Sequence, residues 1–132
     1  MNTKLILTVC VIFLAVAGLT LTFLPEEISA YINISSAKPF LLVLQTLGAL
    51  YLSFAMLNWM VKGSLIGGIY NKPIAMANFM HFFIAGLALI KGLMSNPGLP
   101  YAVWAFAGVY SIFALLFGLI AFRHPKVKPE IL

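Results

Sequence analysis

Apolar residues fall into four long runs along the chain, separated by short joints rich in proline, glycine and charge. The runs cover 5–24, 40–61, 74–90 and 101–122 and are apolar all round, without the alternation of a half-buried strand or the one-sided stripe of a soluble helix. At ~1.5 Å rise per residue, about 20 such residues reach across a ~30 Å hydrocarbon core. The pattern therefore predicts an all-α fold: an integral membrane four-helix bundle forming one transmembrane domain over 1–132, with a basic tail at 123–132. Ala15-Val16-Ala17 resembles a signal-peptide cleavage site, but the apolar run continues to Leu24, so a retained first span is expected.

The joints add detail. Pro25, Glu26 and Glu27 suit the first turn of a helix, which predicts a short interfacial helix after the first span. Residues 63–68 read as a flexible connection, and Asn71 before Lys72-Pro73 as the cap of the third span. The shortness of that joint predicts that the second and third spans pack as an antiparallel hairpin.

Composition supports the membrane reading. Hydrophobic residues make up 63% of the chain and charged residues 8%, against about a quarter charged in soluble domains. The net charge of +5 does not point to nucleic acid, because the basic residues sit at the ends of the runs with no interleaved aromatic stripe. They mark topology instead: Lys4, Lys62, Lys72, Arg123, Lys126 and Lys128 share the side of the termini, while Lys38 and Lys91 lie opposite. Both termini are thus expected in the cytoplasm. Trp59, Tyr70, Tyr101 and Trp104 fall near the boundaries, where amphipathic rings anchor a span.

The polar residues within the runs are the available chemistry. Cys10 is the single cysteine, which removes an intrachain disulfide, a CxxC pair and a multi-thiolate metal site. No Asp or Glu lies in any run, which argues against coupling to protons or cations. No cofactor is evident: His81 is the one ionisable residue deep in a span and lacks a second axial ligand for haem, and no cluster suits zinc. Asn58 and Asn78 occupy one layer near the side of the termini, while Tyr51, His81 and Tyr110 fall near the bilayer centre.

Gly48, Tyr51, Ala55 and Asn58 share one helix face, as do Asn78, His81 and Ala85. Facing each other, they allow two readings. Tyr51, Asn58, Asn78 and His81 line a cavity for the polar head of a lipid-like or quinone-like molecule. Alternatively, Asn58 bonds Asn78, and His81 bonds Tyr51 or a backbone carbonyl, as packing contacts. The spacings Ala49-x3-Ser53, Ala107-x3-Ser111 and Ala114-x3-Gly118 suit close helix approach, within the chain or in a homo-oligomer.

The proline after the first run, with Gln45, Thr46, Leu47, Gly48, Ala49, Leu50, Tyr51 and Leu52 opening the second, resembles the DoxX-like group of small bacterial four-helix membrane proteins. That group often has arginine where Gln45 stands, and no catalytic residues carry over. The resemblance implies a multi-pass protein of the bacterial inner membrane and, from some members, a link to quinone or thiosulfate chemistry. The leading expectation is a nonenzymatic protein, either an accessory subunit of a membrane complex or a binder of a lipid-like or quinone-like molecule. An oligomeric channel or carrier for a small solute, and a quinone-linked redox partner, are the alternatives.

Overall fold

In the computed structural model, which describes residues 1–34 and 36–126, the chain forms five helices. They are α1 (Thr3–Phe23), α2 (Pro25–Tyr31), α3 (Lys38–Val61), α4 (Lys72–Ser95) and α5 (Tyr101–Phe122). All but α2 are long and apolar enough to cross a membrane, as a multi-pass membrane protein requires. Of the expected basic tail, 127–132 lie outside the described residues.

Local chemistry explains the ends. The Asn2 side chain accepts from Leu5 N at 3.1 Å and caps α1, and Pro25 stops that helix and opens α2. Helix α2 carries Glu26 and Glu27 in its first turn, where the helix dipole favours acids. The Ser29 hydroxyl, fully buried, donates to Ile34 O at 3.1 Å behind it. Helix α4 runs five residues beyond the expected end at 90, because Lys91 ends an apolar window without ending a helix. The helix stops at Ser95, just before Asn96 and Pro97.

In lipid every backbone and hydroxyl group needs a partner. Thr8, Thr20, Thr46, Ser53 and Ser111 find theirs one turn back, donating to the carbonyls of Lys4, Val16, Leu42, Ala49 and Ala107 at 2.7–2.9 Å. These hydroxyls are thereby satisfied inside their own helices.

The hairpin expected from the short joint is corrected: α1 pairs closely with α3, and α4 with α5. Glycine decides the first pair. A Cβ on Gly18 would lie 2.9 Å from Gly48 O, and one on Gly48 would lie 2.8 Å from Gly18 O, so the backbones touch where side chains are missing. Between α3 and α4 stand Tyr51, Phe54, Asn58, Asn78 and His81, whose bulk holds the axes apart and leaves contact to the side chains. Of the small-residue spacings, Ala107 and Ala114 are buried, while Ala49 and Ser53 face outward.

The core joins both pairs. Leu7, Cys10 and Leu14 of α1 meet Tyr51 and Ala55 of α3, Phe82 of α4, and Tyr110, Phe113 and Phe117 of α5. Phe82 stacks on Phe117 nearly parallel, with centroids 5.7 Å apart, and contacts Phe113 at 4.9 Å. Helix α5 is the most enclosed span, so its inward residues shape whatever the centre can do.

The α3–α4 joint is built rather than loose. Gly67 and Tyr70 exchange backbone hydrogen bonds at 2.9 and 3.0 Å, Ile66 is buried, and Asn71 Nδ2 donates to Leu65 O at 2.7 Å. Asn71 stands at the N-cap of α4 as expected, its carbonyl accepting from Ile74 N and Ala75 N at 3.0 and 3.3 Å, but its side chain ties the loop and makes no capping bond.

Candidate functional site

Two polar clusters occupy the seam where α3, α4 and α5 converge. In the first, Asn58 and Asn78 form a reciprocal amide pair: Asn58 Nδ2 donates to Asn78 Oδ1 at 2.8 Å, and Asn78 Nδ2 to Asn58 Oδ1 at 2.7 Å. The remaining amide hydrogens are used as well. Asn78 Nδ2 also donates to Ile74 O at 3.0 Å, and Asn58 Nδ2 to Cys10 Sγ at 3.6 Å. Both asparagines are fully buried, so the pair works as a clasp between the α1–α3 and α4–α5 halves.

The second cluster lies deeper. Tyr110 OH donates to Tyr51 OH at 2.5 Å, and His81 Nε2 stands 3.1 Å from the same Tyr110 oxygen. The three groups form a line from α3 through α5 to α4. The His81 ring is fixed by its neighbours: it stacks on Phe54 at 5.1 Å and 26°, and meets Tyr51, Phe82 and Tyr110 edge-on or tilted. With Nε2 engaged by Tyr110, Nδ1 makes no hydrogen bond among the described residues. His81 is also only partly buried, unlike Tyr51, Tyr110 and both asparagines.

The hydrogen positions give the line two states. When Nε2 carries the proton it donates to Tyr110, Tyr110 donates to Tyr51, and Nδ1 is an acceptor. When the hydroxyls turn round, Tyr51 donates to Tyr110 and Tyr110 to Nε2, which makes Nδ1–H a donor. The same heavy-atom geometry thus presents either an acceptor or a donor at the open nitrogen.

All four residues singled out from the sequence reach the seam, yet they divide. Asn58 and Asn78 close on each other, whereas Tyr51 and His81 touch edge-on as rings and share hydrogen bonds only through Tyr110. Tyr110 lies at the depth expected from its place in the fourth apolar run, yet outside the four residues singled out. The signal is the spacing of Ala107, Tyr110 and Ala114, which marks an inward face of α5 like the one that locates Asn58 on α3. Cys10, without a partner assigned from sequence, proves to be the sulfur acceptor beneath the amide pair. Gln45 bonds Thr22 O at 3.3 Å, tying the far end of α3 to α1.

Among the described residues, no three His, Cys, Asp or Glu side chains group as metal ligands. Comparison with protein-family models, with curated proteins and with solved structures returned no match.

Proposed function

We propose that this is a nonenzymatic membrane protein that binds the polar head of a lipid-like or quinone-like molecule at His81, near mid-membrane. The observation that carries the reading is the divided histidine: one ring nitrogen is anchored on Tyr110, and the other is uncommitted on a partly exposed residue. In hydrocarbon an uncommitted polar atom has no water to turn to, so a ligand group is its natural partner. As an acceptor, Nδ1 suits a hydroxyl; as a donor, it suits a carbonyl. Phe54, partly exposed and stacked on the ring, suits a flat or apolar body. The buried amide pair supports binding over passage of a solute, since it sets two committed side chains across the seam. The resemblance to the DoxX-like group and the charge count support a place in the bacterial inner membrane with both termini cytoplasmic.

The test uses His81→Gln, whose side-chain amide nitrogen reaches the position of Nε2 and keeps the Tyr110 bond while deleting Nδ1. Protein extracted in native nanodiscs is weighed by mass spectrometry. The wild type is expected to carry a quinone or a lipid-like molecule, and the variant about a tenth as much, the loss of one hydrogen bond of ~1.4 kcal/mol. A ligand-free wild type, or equal retention by the variant, contradicts the proposal.

A further inference from the structure

A second site lies at the end of the bundle that holds residue 1 and the end of α5. There a half-open cavity of about 720 Å³ is bounded by the start of α1, the α3–α4 loop and residues 120–126. We infer that this cavity binds a phosphate group, held by Arg123 and Lys126, and that its source is a phospholipid headgroup. The inference is independent of the reading of His81, which sits on a different part of the bundle.

Charge comes first. Arg123 and Lys126 line the cavity, and neither forms an ion pair among the described residues. The acids of the described residues, Glu26 and Glu27, belong to α2 at the opposite end. Thr3 and Ser64 add hydroxyl donors to the wall. Arginine presents a planar fork that matches phosphate oxygens, and a lysine beside it supplies a second positive charge.

The wall is shaped and not incidental. Gly67 and Gly68 hold φ of 127° and 58°, conformations that L side chains rarely adopt. A Cβ on Gly67 would lie 2.7 Å from Arg123 O, and one on Gly68 would lie 2.8 Å from the His124 ring. The loop therefore lies directly on the end of α5 and fixes the backbone that carries Arg123. Its own shape is closed by the Gly67–Tyr70 pairing and the Asn71–Leu65 bond.

Location decides between sources of phosphate. The cavity lies where α1 begins and α5 ends, at a membrane boundary, and Leu65, Ile66 and Ile120 give it an apolar side. Its volume falls in the ~300–1,000 Å³ range of small-molecule sites, enough for a headgroup with its glycerol. Lys4, Lys62 and Lys72 share this end and raise the local positive potential.

The test titrates the full chain in detergent micelles with phosphatidylglycerol or phosphatidylcholine, read by native mass spectrometry, and separately with inorganic phosphate, read by calorimetry. Phosphatidylglycerol is expected to bind one to one, at least tenfold more tightly than phosphatidylcholine. The combined Arg123→Gln and Lys126→Gln variant should lose at least tenfold, while Lys38→Gln with Lys91→Gln, which removes equal charge from the other end, stays within twofold. Inorganic phosphate binding as tightly as the lipid, with the same dependence on Arg123 and Lys126, would keep the phosphate site and overturn the lipid source. Absence of one-to-one phosphatidylglycerol binding, or equal losses in the two double variants, would overturn the site itself.

Discussion

Gly48→Leu is expected to destabilise the bundle by about 3 kcal/mol or more, the largest effect of any single change considered, measured by reversible unfolding in mixed micelles. The reason is backbone against backbone. A Cβ at this position already comes within 2.8 Å of Gly18 O and 2.9 Å of Thr22 N, atoms that cannot rotate away. Gly48→Ala should therefore cost about 1–3 kcal/mol, although alanine is ordinarily the better helix former. Gly108 on α5 provides the contrast, since nothing lies within 4 Å of the place a Cβ would take there. Gly108→Ala should be neutral or stabilising by up to ~1 kcal/mol. Equal losses at Gly48 and Gly108 would mean that α1 and α3 do not meet at the glycines.

The second large effect concerns the amide pair. Asn58→Ala or Asn78→Ala strips both hydrogen bonds of the pair, together with the deleted residue's bond to Cys10 Sγ or Ile74 O, and leaves the surviving amide fully buried without its amide partner. Each is expected to cost about 1–2 kcal/mol, the upper part of the range for hydrogen bonds between membrane helices. The better signature is the coupling. Removing both residues should cost clearly less than the sum of the single losses, by about 1 kcal/mol, because the second deletion relieves the amide orphaned by the first. Additive losses would show that the two side chains do not bond each other in the membrane.

Much of the fold is legible in the sequence because hydrocarbon imposes one dominant rule. The lengths of the apolar runs locate all four long helices, and Pro25 with its two acids locates α2. Helix α4 outruns its apolar window because polarity and helix termination are separate properties, and Pro97 is the first true breaker. Pairing is harder to read. A short loop says which helices are neighbours in sequence, but closeness is set by Gly18 and Gly48, residues far apart in the chain whose meeting no local pattern records.

The site is legible in part for the same reason. Faces can be drawn on single helices, which places Tyr51 with Asn58 and Asn78 with His81. The link between Tyr51 and His81 comes from a third helix, α5, and depends on how far apart α3 and α4 stand. Likewise the phosphate cavity combines the first residues of α1, a glycine loop and the end of α5, and only the packed chain brings these together.

His81 is anchored at one nitrogen and open at the other. Nitrogen solid-state NMR of histidine-labelled protein in bilayers measures both, with His124→Asn leaving His81 as the one labelled ring. On addition of a decyl-substituted benzoquinone, the Nδ1 resonance is expected to shift while Nε2 keeps the signature of its Tyr110 hydrogen bond. If neither resonance moves at saturating quinone, or if Nε2 moves while Nδ1 stays, the divided histidine is not a binding site.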